Sequence, residues 1–369
     1  MRINPHLHLR PALRDSVNKN KNSMYDVITF GAGAQDIYIK SKQFLPVSGK
    51  AFSTGQGICL ALGSKTEVED IFLSSGGGGT NTAATFANQG LKTAYCGMLG
   101  DDCFGNLIIA ELKNLKIDTQ FILKTKNKLT NTSVFLTYPG KDRTIMVYRG
   151  ASDDLEKKDI PWREIKSTKW FYLAPFSGKL ADLTEDLISF AQKNKIKVAW
   201  NPGYNQLKFS KKTLERILRK IDVLLLNKEE ASLLTKIFYQ KEKEVFQKID
   251  KMTKGIAIMT KGGEGVSVSD GKYLYRAGSL GLKMVDGTGA GDAFGSGFVA
   301  GLIQKVKEDK SSFSPSVNNV TFAIQLAMAN SSYNITKWGA KEGLLKKSQK
   351  WQKTKVIKEL CSNGLCQVK

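Results

Sequence analysis

Histidine is almost missing from this chain: 369 residues hold only 2, His6 and His8, both near the start. Cysteine is sparse and scattered, with 5 residues at Cys59, Cys96, Cys103, Cys361 and Cys366. Neither type shows zinc spacing, and an odd cysteine count is no disulfide framework, so a reducing, cytoplasmic setting is expected. No apolar run approaches the roughly 18–20 residues of a membrane-spanning helix. The N-terminus lacks the apolar centre of a secretory signal. The Walker pattern G-x-x-x-x-G-K-[ST] occurs nowhere, so a phosphate loop of that kind is excluded. Gly31-Ala32-Gly33 is only a fragment of the dinucleotide fingerprint and lacks its acidic partner.

Acid is the scarcer charge, with 34 Asp and Glu against 56 Lys and Arg, a net charge of +22. Both ends are basic: Arg2, Arg10, Arg14, Lys19 and Lys21 precede the first strand, and lysines from Lys341 to Lys369 crowd the other end. Such a chain attracts polyanions without specificity. No nucleic-acid motif accompanies the charge, so a lysine-rich solvated surface with basic tails is the favoured reading and nucleic acid is expected as a non-specific partner at most. The 369 residues are enough for one large α/β domain or two small ones, and 41% hydrophobic content is ordinary for a globular core.

What the chain does have is a glycine string, Val285-Asp286-Gly287-Thr288-Gly289-Ala290-Gly291-Asp292, running into Ala293-Phe294-Gly295-Ser296-Gly297-Phe298 with apolar residues at helical spacing. A glycine turn entering a helix presents unpaired N–H groups and a partial positive charge, which suit an anion. Such a site can hold a phosphoryl group while charge builds on its oxygens. Asp292, in the first turn, stands where it could take a proton from an attacking hydroxyl. The same letters also describe a glycine loop capping a core helix.

The whole string resembles the signature D-T-x-G-A-G-D of the ribokinase-like (PfkB-type) sugar and nucleoside kinases, with Gly287 where that family usually has Thr. A second stretch resembles the family's first signature: Gly76-Gly77-Gly78-Gly79-Thr80-Asn81-Thr82-Ala83, then Gly97-Met98-Leu99-Gly100-Asp101-Asp102-Cys103-Phe104-Gly105. The resemblance covers roughly residues 25–344. It implies an α/β fold: a ribokinase-like, doubly wound, mostly parallel sheet with helices on both faces, plus a small β-sheet lid. The chain's own rhythm agrees, because strands from residue 168 onward alternate with helices near 180–194, 210–219 and 228–234. Ligands in such sheets bind at the carboxyl ends of the strands.

The expected organisation is a poorly ordered extension over 1–23, a kinase domain over 24–344, and a basic tail over 345–369. Lid strands are expected within about 37–75 and 132–149, the second a hairpin around Pro139-Gly140-Lys141-Asp142. In the family such a lid covers the sugar pocket and often serves in dimer contact, so a homodimer through the lid is an implied partner.

The resemblance implies ATP-dependent phosphorylation of a hydroxyl, a primary one, on a sugar, with a nucleoside as the alternative acceptor. A non-catalytic polyanion-binding protein on the same fold is the rival from another class. Asp36, Gly76, Gly77 and Asn81 would hold the sugar hydroxyls; Asp36 also reads as a turn aspartate and Asn81 as a helix cap. Asn227, Thr260, Gly262 and Gly265 would border the nucleotide. Glu230 would organise magnesium through water, as suits an ion that keeps several waters, although a plain helix start predicts Asn227 and Glu230 equally. Asp286 and Thr288 would bind a monovalent cation such as potassium, or merely cap the helix entry. Gly289, Ala290, Gly291 and Asp292 would form the anion hole. As a carboxylate at a helix start, Asp292 is expected to be a weak base held in its ionised form. Phe44, Phe52, Phe135 and Tyr138 could stack a nucleoside base.

Overall fold

A computed structural model describes residues 24–52, 54–138, 143–309 and 316–361. The 1–23 extension, the hairpin tip at 139–142 and residues 362–369 lie outside them. The chain opens with β1 (Tyr25–Phe30) and passes into β2 (Ala34–Lys40), β3 (Leu45–Ser48), β4 (Gln56–Cys59) and β5 (Asp70–Gly76). Then come α1 (Gly78–Asn88), β6 (Thr93–Gly100), α2 (Cys103–Asn114), β7 (Ile122–Thr125), β8 (Asn131–Thr137) and β9 (Arg143–Tyr148). The alternating half holds α3 (Trp162–Ile165), β10 (Thr168–Leu173), α4 (Thr184–Lys193), β11 (Lys197–Trp200), α5 (Tyr204–Leu207), α6 (Lys211–Leu218), β12 (Val223–Asn227), α7 (Lys228–Thr235), α8 (Glu242–Met252) and β13 (Ile256–Thr260). It closes with β14 (Val266–Ser269), β15 (Tyr273–Ala277), α9 (Ala290–Asp309), α10 (Val317–Asn334) and β16 (Val356–Leu360).

The main sheet has ten strands in the order β16-β15-β14-β13-β12-β11-β10-β1-β6-β7. From β13 to β7 the neighbours are parallel, and β14, β15 and β16 continue antiparallel. Parallel strands need crossovers, and the crossovers put helices on both faces. The period-2 alternation of the strands feeds two cores. On one side Ile28, Phe30, Phe171, Leu173, Leu224 and Leu226 meet α4, α6, α7 and α8. On the other, Val27, Trp170, Tyr172, Val223 and Leu225 meet α9 and α10. This is the doubly wound sheet the sequence rhythm implies. Among the described residues no helix is long and apolar enough to cross a membrane.

Strand β1 has β6 on one side and β10 on the other, so the winding reverses between β1 and β10. A crevice opens at their carboxyl ends, the usual ligand position in such sheets. Helix α1 starts in it: the Gly79 N–H donates to the Ala32 carbonyl at 3.0 Å, just beyond the end of β1.

A separate four-stranded sheet, β5-β2-β8-β9, lies over this end. It joins strands from the two stretches read as lid: β2 pairs antiparallel with β5 and parallel with β8, and β8 pairs antiparallel with β9. Strands β3 and β4 form a small hairpin of their own.

The stretch read as a basic tail begins inside the fold. Leu345 is fully buried, Trp351 packs at 6.2 Å from Phe322 of α10, and β16 forms the edge of the main sheet against β15. Lysine richness hid this, because an edge strand needs one partner for its backbone and tolerates charge on its open side.

Candidate active site

Helices α1 and α9 bring their N-termini together at the crevice. Asn81, one turn into α1, donates from Nδ2 to Asp292 Oδ2 at 2.9 Å. Asn81 is thus no helix cap; Gly77 holds that position, with φ of 91°. The other amide atom, Oδ1, is buried without a protein partner. A buried acceptor with no donor is costly, so it suits a ligand hydroxyl.

Burial raises the Asp292 carboxyl above the usual carboxylate range, against the pull of the Asn81 amide and the Lys341 charge. This reverses the expectation from the helix dipole. Enclosure by the protein disfavours the ionised form, the opposite direction to the pull expected of a helix start.

Asp36 in β2 is buried beside Ser74 of β5 and Ser133 of β8. Burial pushes its carboxyl up to about 6, moderated by a hydrogen bond from Ser133 and the charge of Lys341. A side chain on Gly76 would stand 2.1 Å from Asp36 Oδ2, so only glycine leaves room for that carboxylate. Two residues on, a side chain at Gly78 would stand 3.3 Å from Asp292 Oδ1. The two carboxylates therefore flank one short glycine turn, with Asn81 rising from it.

The signature turn is held from behind. Gly289 has φ of 75°, and a side chain there would meet Ala340 Cβ at 2.6 Å. The Ala290 N–H returns to the Gly287 carbonyl at 3.3 Å, and the Ala293 N–H to the Gly289 carbonyl at 2.8 Å. Between them lie the N–H groups of Gly291 and Asp292, in the turn where a helix has no earlier carbonyls to offer. A side chain on Gly291 would meet nothing within 4 Å, so this backbone faces open space. At Gly287, where the sequence departs from the signature, a side chain would meet only Met284 Sδ at an ordinary 3.5 Å. The departure leaves the turn intact.

The residues expected around the nucleotide stand at neighbouring strand ends. Asn227 ends β12 in register with Thr260, which ends β13. Asn227 Oδ1 accepts from the Glu230 N–H at 2.7 Å, and Glu230 Oε2 accepts from the Asn227 N–H at 2.8 Å. This reciprocal cap is the bland reading of those letters, and it occupies one Glu230 oxygen. Burial raises the Glu230 carboxyl, offset by that N–H. Gly262 opens the turn after β13 onto free space, whereas a side chain on Gly265 would strike the Ala277 carbonyl. Gly262 thus faces outward and Gly265 serves packing.

Three features were not legible in the sequence. Lys341 is buried and donates to Ser75 Oγ, with Glu111 Oε2 at 3.8 Å. It sits two residues after the Gly339 turn, and nothing in its spacing marks it. Asp102, read only as part of a signature, caps α2 through Gly105 at 2.7 Å and ties it to Thr130 at 2.7 Å. Arg143, at the start of β9, pairs with Asp286 at 3.1 Å.

Residues 51–347 match the description pfkB family carbohydrate kinase. The chain belongs to that family. It is a phosphotransferase with the ribokinase-like fold. The kinase is 27% identical over 300 residues to a ribokinase of Lactococcus lactis subsp. lactis, covering 78% of this chain and 88% of that one. Its fold is similar to Arabidopsis thaliana ribokinase complexed with ribose and ATP, at a TM-score of 0.67 and 18% identity over 88% of this chain and 96% of the other. It is similar again to a putative ribokinase II of E. coli in complex with ATP and Mg2+, at a TM-score of 0.68 and 17% identity, covering 88% and 97%.

Proposed function

We propose that the kinase transfers the γ-phosphoryl group of ATP to a primary hydroxyl of a free sugar. The observation that carries this reading is the pairing of Asn81 with Asp292 near buried Asp36, all three gathered around one glycine turn at the switch point of the sheet. Asp36 and the unpaired Asn81 Oδ1 would accept hydrogen bonds from ring hydroxyls, and Asp292 would take the proton of the reacting one. In a dissociative transfer the proton leaves late, so a carboxylate suffices as base. The N–H groups of Gly291 and Asp292 would stabilise charge on the transferred group. The lid would exclude water and so protect ATP from hydrolysis.

ATP would lie over Thr260 and the open turn at Gly262, beside Asn227. Glu230 keeps one oxygen outside its cap, which fits magnesium held through water. Bound there, magnesium would offset the phosphate charge near the anion hole. A homodimer through the lid is part of the same reading: Ile71, Leu73, Ile145, Met146 and Val147 are exposed apolar residues on lid strands.

A free sugar is favoured over a nucleoside by the state of the lid aromatics. Phe135 is buried and stacked on Tyr38 at 4.3 Å, and Phe44 is buried too. Both are engaged in packing and offer no open face to a base, which leaves exposed Phe52 and half-buried Tyr138 as the aromatics a nucleoside would have to use. The test is ADP release with ribose, fructose, 2-keto-3-deoxygluconate, adenosine, inosine and cytidine. A sugar should be the best acceptor. Turnover of nucleosides alone would overturn the sugar reading and leave the kinase.

A further inference from the structure

The signature turn holds a buried carboxylate that accepts from donors on three sides, with the Asp36 carboxylate near enough to repel it. Asp286 Oδ1 accepts from the Thr288 N–H at 3.0 Å and the Thr288 hydroxyl at 2.7 Å, and Oδ2 accepts from the Gly339 N–H at 3.0 Å. The guanidinium of Arg143 completes the shell at 3.1 Å from Oδ1. The Asp286 side chain is 0% exposed, so its charge has no solvent to answer it. A buried carboxylate without a counter-charge is strongly unfavourable. A monovalent metal ion needs several unengaged oxygens; here four donor contacts converge on the carboxylate, three of them on Oδ1, and the positive charge is already supplied. The donor set therefore does not fit the resident cation expected at Asp286 and Thr288.

We propose that Arg143 is the built-in cation of this kinase: a guanidinium carried by the lid, in place of a bound monovalent metal ion, neutralises Asp286 and latches the lid to the signature turn. Arg143 comes from β9, an edge of the lid sheet, whereas Asp286 precedes the turn that sets Gly289, Gly291 and Asp292. The guanidinium also lies 5.7 Å from the ring centroid of Phe135, which stacks on Tyr38, and Tyr38 meets Trp338 edge-on at 5.7 Å. Trp338 adjoins Gly339, the other donor to Asp286. One chain of contacts thus runs from the lid edge through its aromatic layer to both sides of the carboxylate. Arg143 acts through Asp286 and is a positioning residue. Lid closure and the geometry of the anion hole become one event, because opening the lid would leave Asp286 uncompensated.

The test compares the full-length protein in potassium, sodium and tetramethylammonium chloride at one ionic strength, by thermal melting and by ADP release with the best acceptor. The parent should melt within about a degree and turn over within about twofold in all three salts. Arg143→Ala should melt lower in tetramethylammonium, lose at least about tenfold in kcat/KM for the sugar, and recover part of both in potassium or in millimolar guanidinium. Arg143→Lys should keep a charge at the site and stay insensitive to salt type. A parent whose melting point and rate climb saturably with potassium overturns the proposal, as does Arg143→Ala matching the parent in tetramethylammonium. If no sugar turns over, the melting series still decides it, since the parent measurement needs neither a variant nor a substrate.

Discussion

Asn81 and Asp292 are separated by 211 positions, yet they share a hydrogen bond of 2.9 Å where two helix N-termini meet. That bond moderates the effect of burial on the proposed base. The Asn81 amide favours ionised Asp292 while burial opposes it, and burial prevails. Asn81→Leu should therefore raise the Asp292 pKa further. The acid limb of the kcat profile should move to higher pH, with the alkaline plateau less affected. Asp292→Asn should lower kcat by about 10²–10⁴-fold, the usual contribution of a positioned base, while the protein still melts as a folded domain. An unmoved acid limb in Asn81→Leu, or turnover within a few-fold of the parent in Asp292→Asn, contradicts the assignment.

Asp36 sets stability against activity. Its folded pKa of about 6 lies above the ordinary carboxylate value. The unfolded chain ionises first as pH rises, so the penalty develops between about pH 4 and 6 and is complete above that window. Asp36→Asn should remove it. The gain at pH 7.5 is at most about 3 kcal/mol, and it should shrink to nothing below about pH 4. Sugar KM should rise at the same time, because the amide replaces an acceptor with a donor. Melting curves from pH 4 to 8 check the first part and steady-state kinetics the second. A variant less stable than the parent at neutral pH contradicts the sign.

The two signature glycines should fail in different ways. Gly289 combines φ of 75° with a Cβ position 2.6 Å from Ala340 Cβ. Gly289→Ala should cost about 1–3 kcal/mol from the backbone alone, and more from the clash. At Gly291 a methyl group meets nothing in the protein. Gly291→Ala should melt like the parent, yet lower kcat/KM for ATP at least about tenfold, because the methyl group fills the space assigned to the phosphoryl group. Normal ATP kinetics in Gly291→Ala would move the anion hole elsewhere.

Much of this was legible because the chemistry and the fold share residues. The string from Asp286 to Asp292 gives both the turn and the proposed anion site, and the strand-helix rhythm after residue 168 gives the sheet. The lid was legible from Pro139-Gly140 and the alternating residues around it. The upward shift of the Asp292 carboxyl was not, because the sequence shows its helix but hides the burial that drives the shift, against the opposing pull of Asn81 and Lys341. Arg143 and Lys341 were also invisible. Each reaches its partner, Asp286 or Ser75, through the packing of the lid on the domain, and a lysine or arginine in a chain this basic carries no signal of its own. Asn330 is a further case: its amide donates to the Ala293 carbonyl at 2.8 Å and accepts from the Leu345 N–H at 2.9 Å, and so joins α10 to its neighbours.

The last prediction separates the fold of the C-terminal stretch from its charge. Its backbone is tied in: the Gln89 amide donates to the Leu345 carbonyl at 2.7 Å, the Lys347 N–H to the Asn88 carbonyl at 2.9 Å, and the Cys361 N–H to the Lys272 carbonyl at 2.8 Å. Glu359 in β16 accepts from Lys243 at 2.6 Å and Arg276 at 3.0 Å. Deleting 345–369 should therefore destabilise the domain, by about 1.5–3 kcal/mol for the buried Leu345 side chain alone, with the broken ladder added. Lys346, Lys350, Lys353 and Lys355 are exposed, so replacing these four with Ser should leave melting and phosphotransfer unchanged. If this face draws polyanions, the same replacement weakens duplex DNA binding, and the slope of log K against log salt falls by up to about 0.9 for each phosphate no longer neutralised. A deletion that melts like the full chain would make β16 an accessory. Sequence-selective DNA binding that survives the serine variant would favour a polyanion-binding role alongside catalysis, because these four charges would then not account for it.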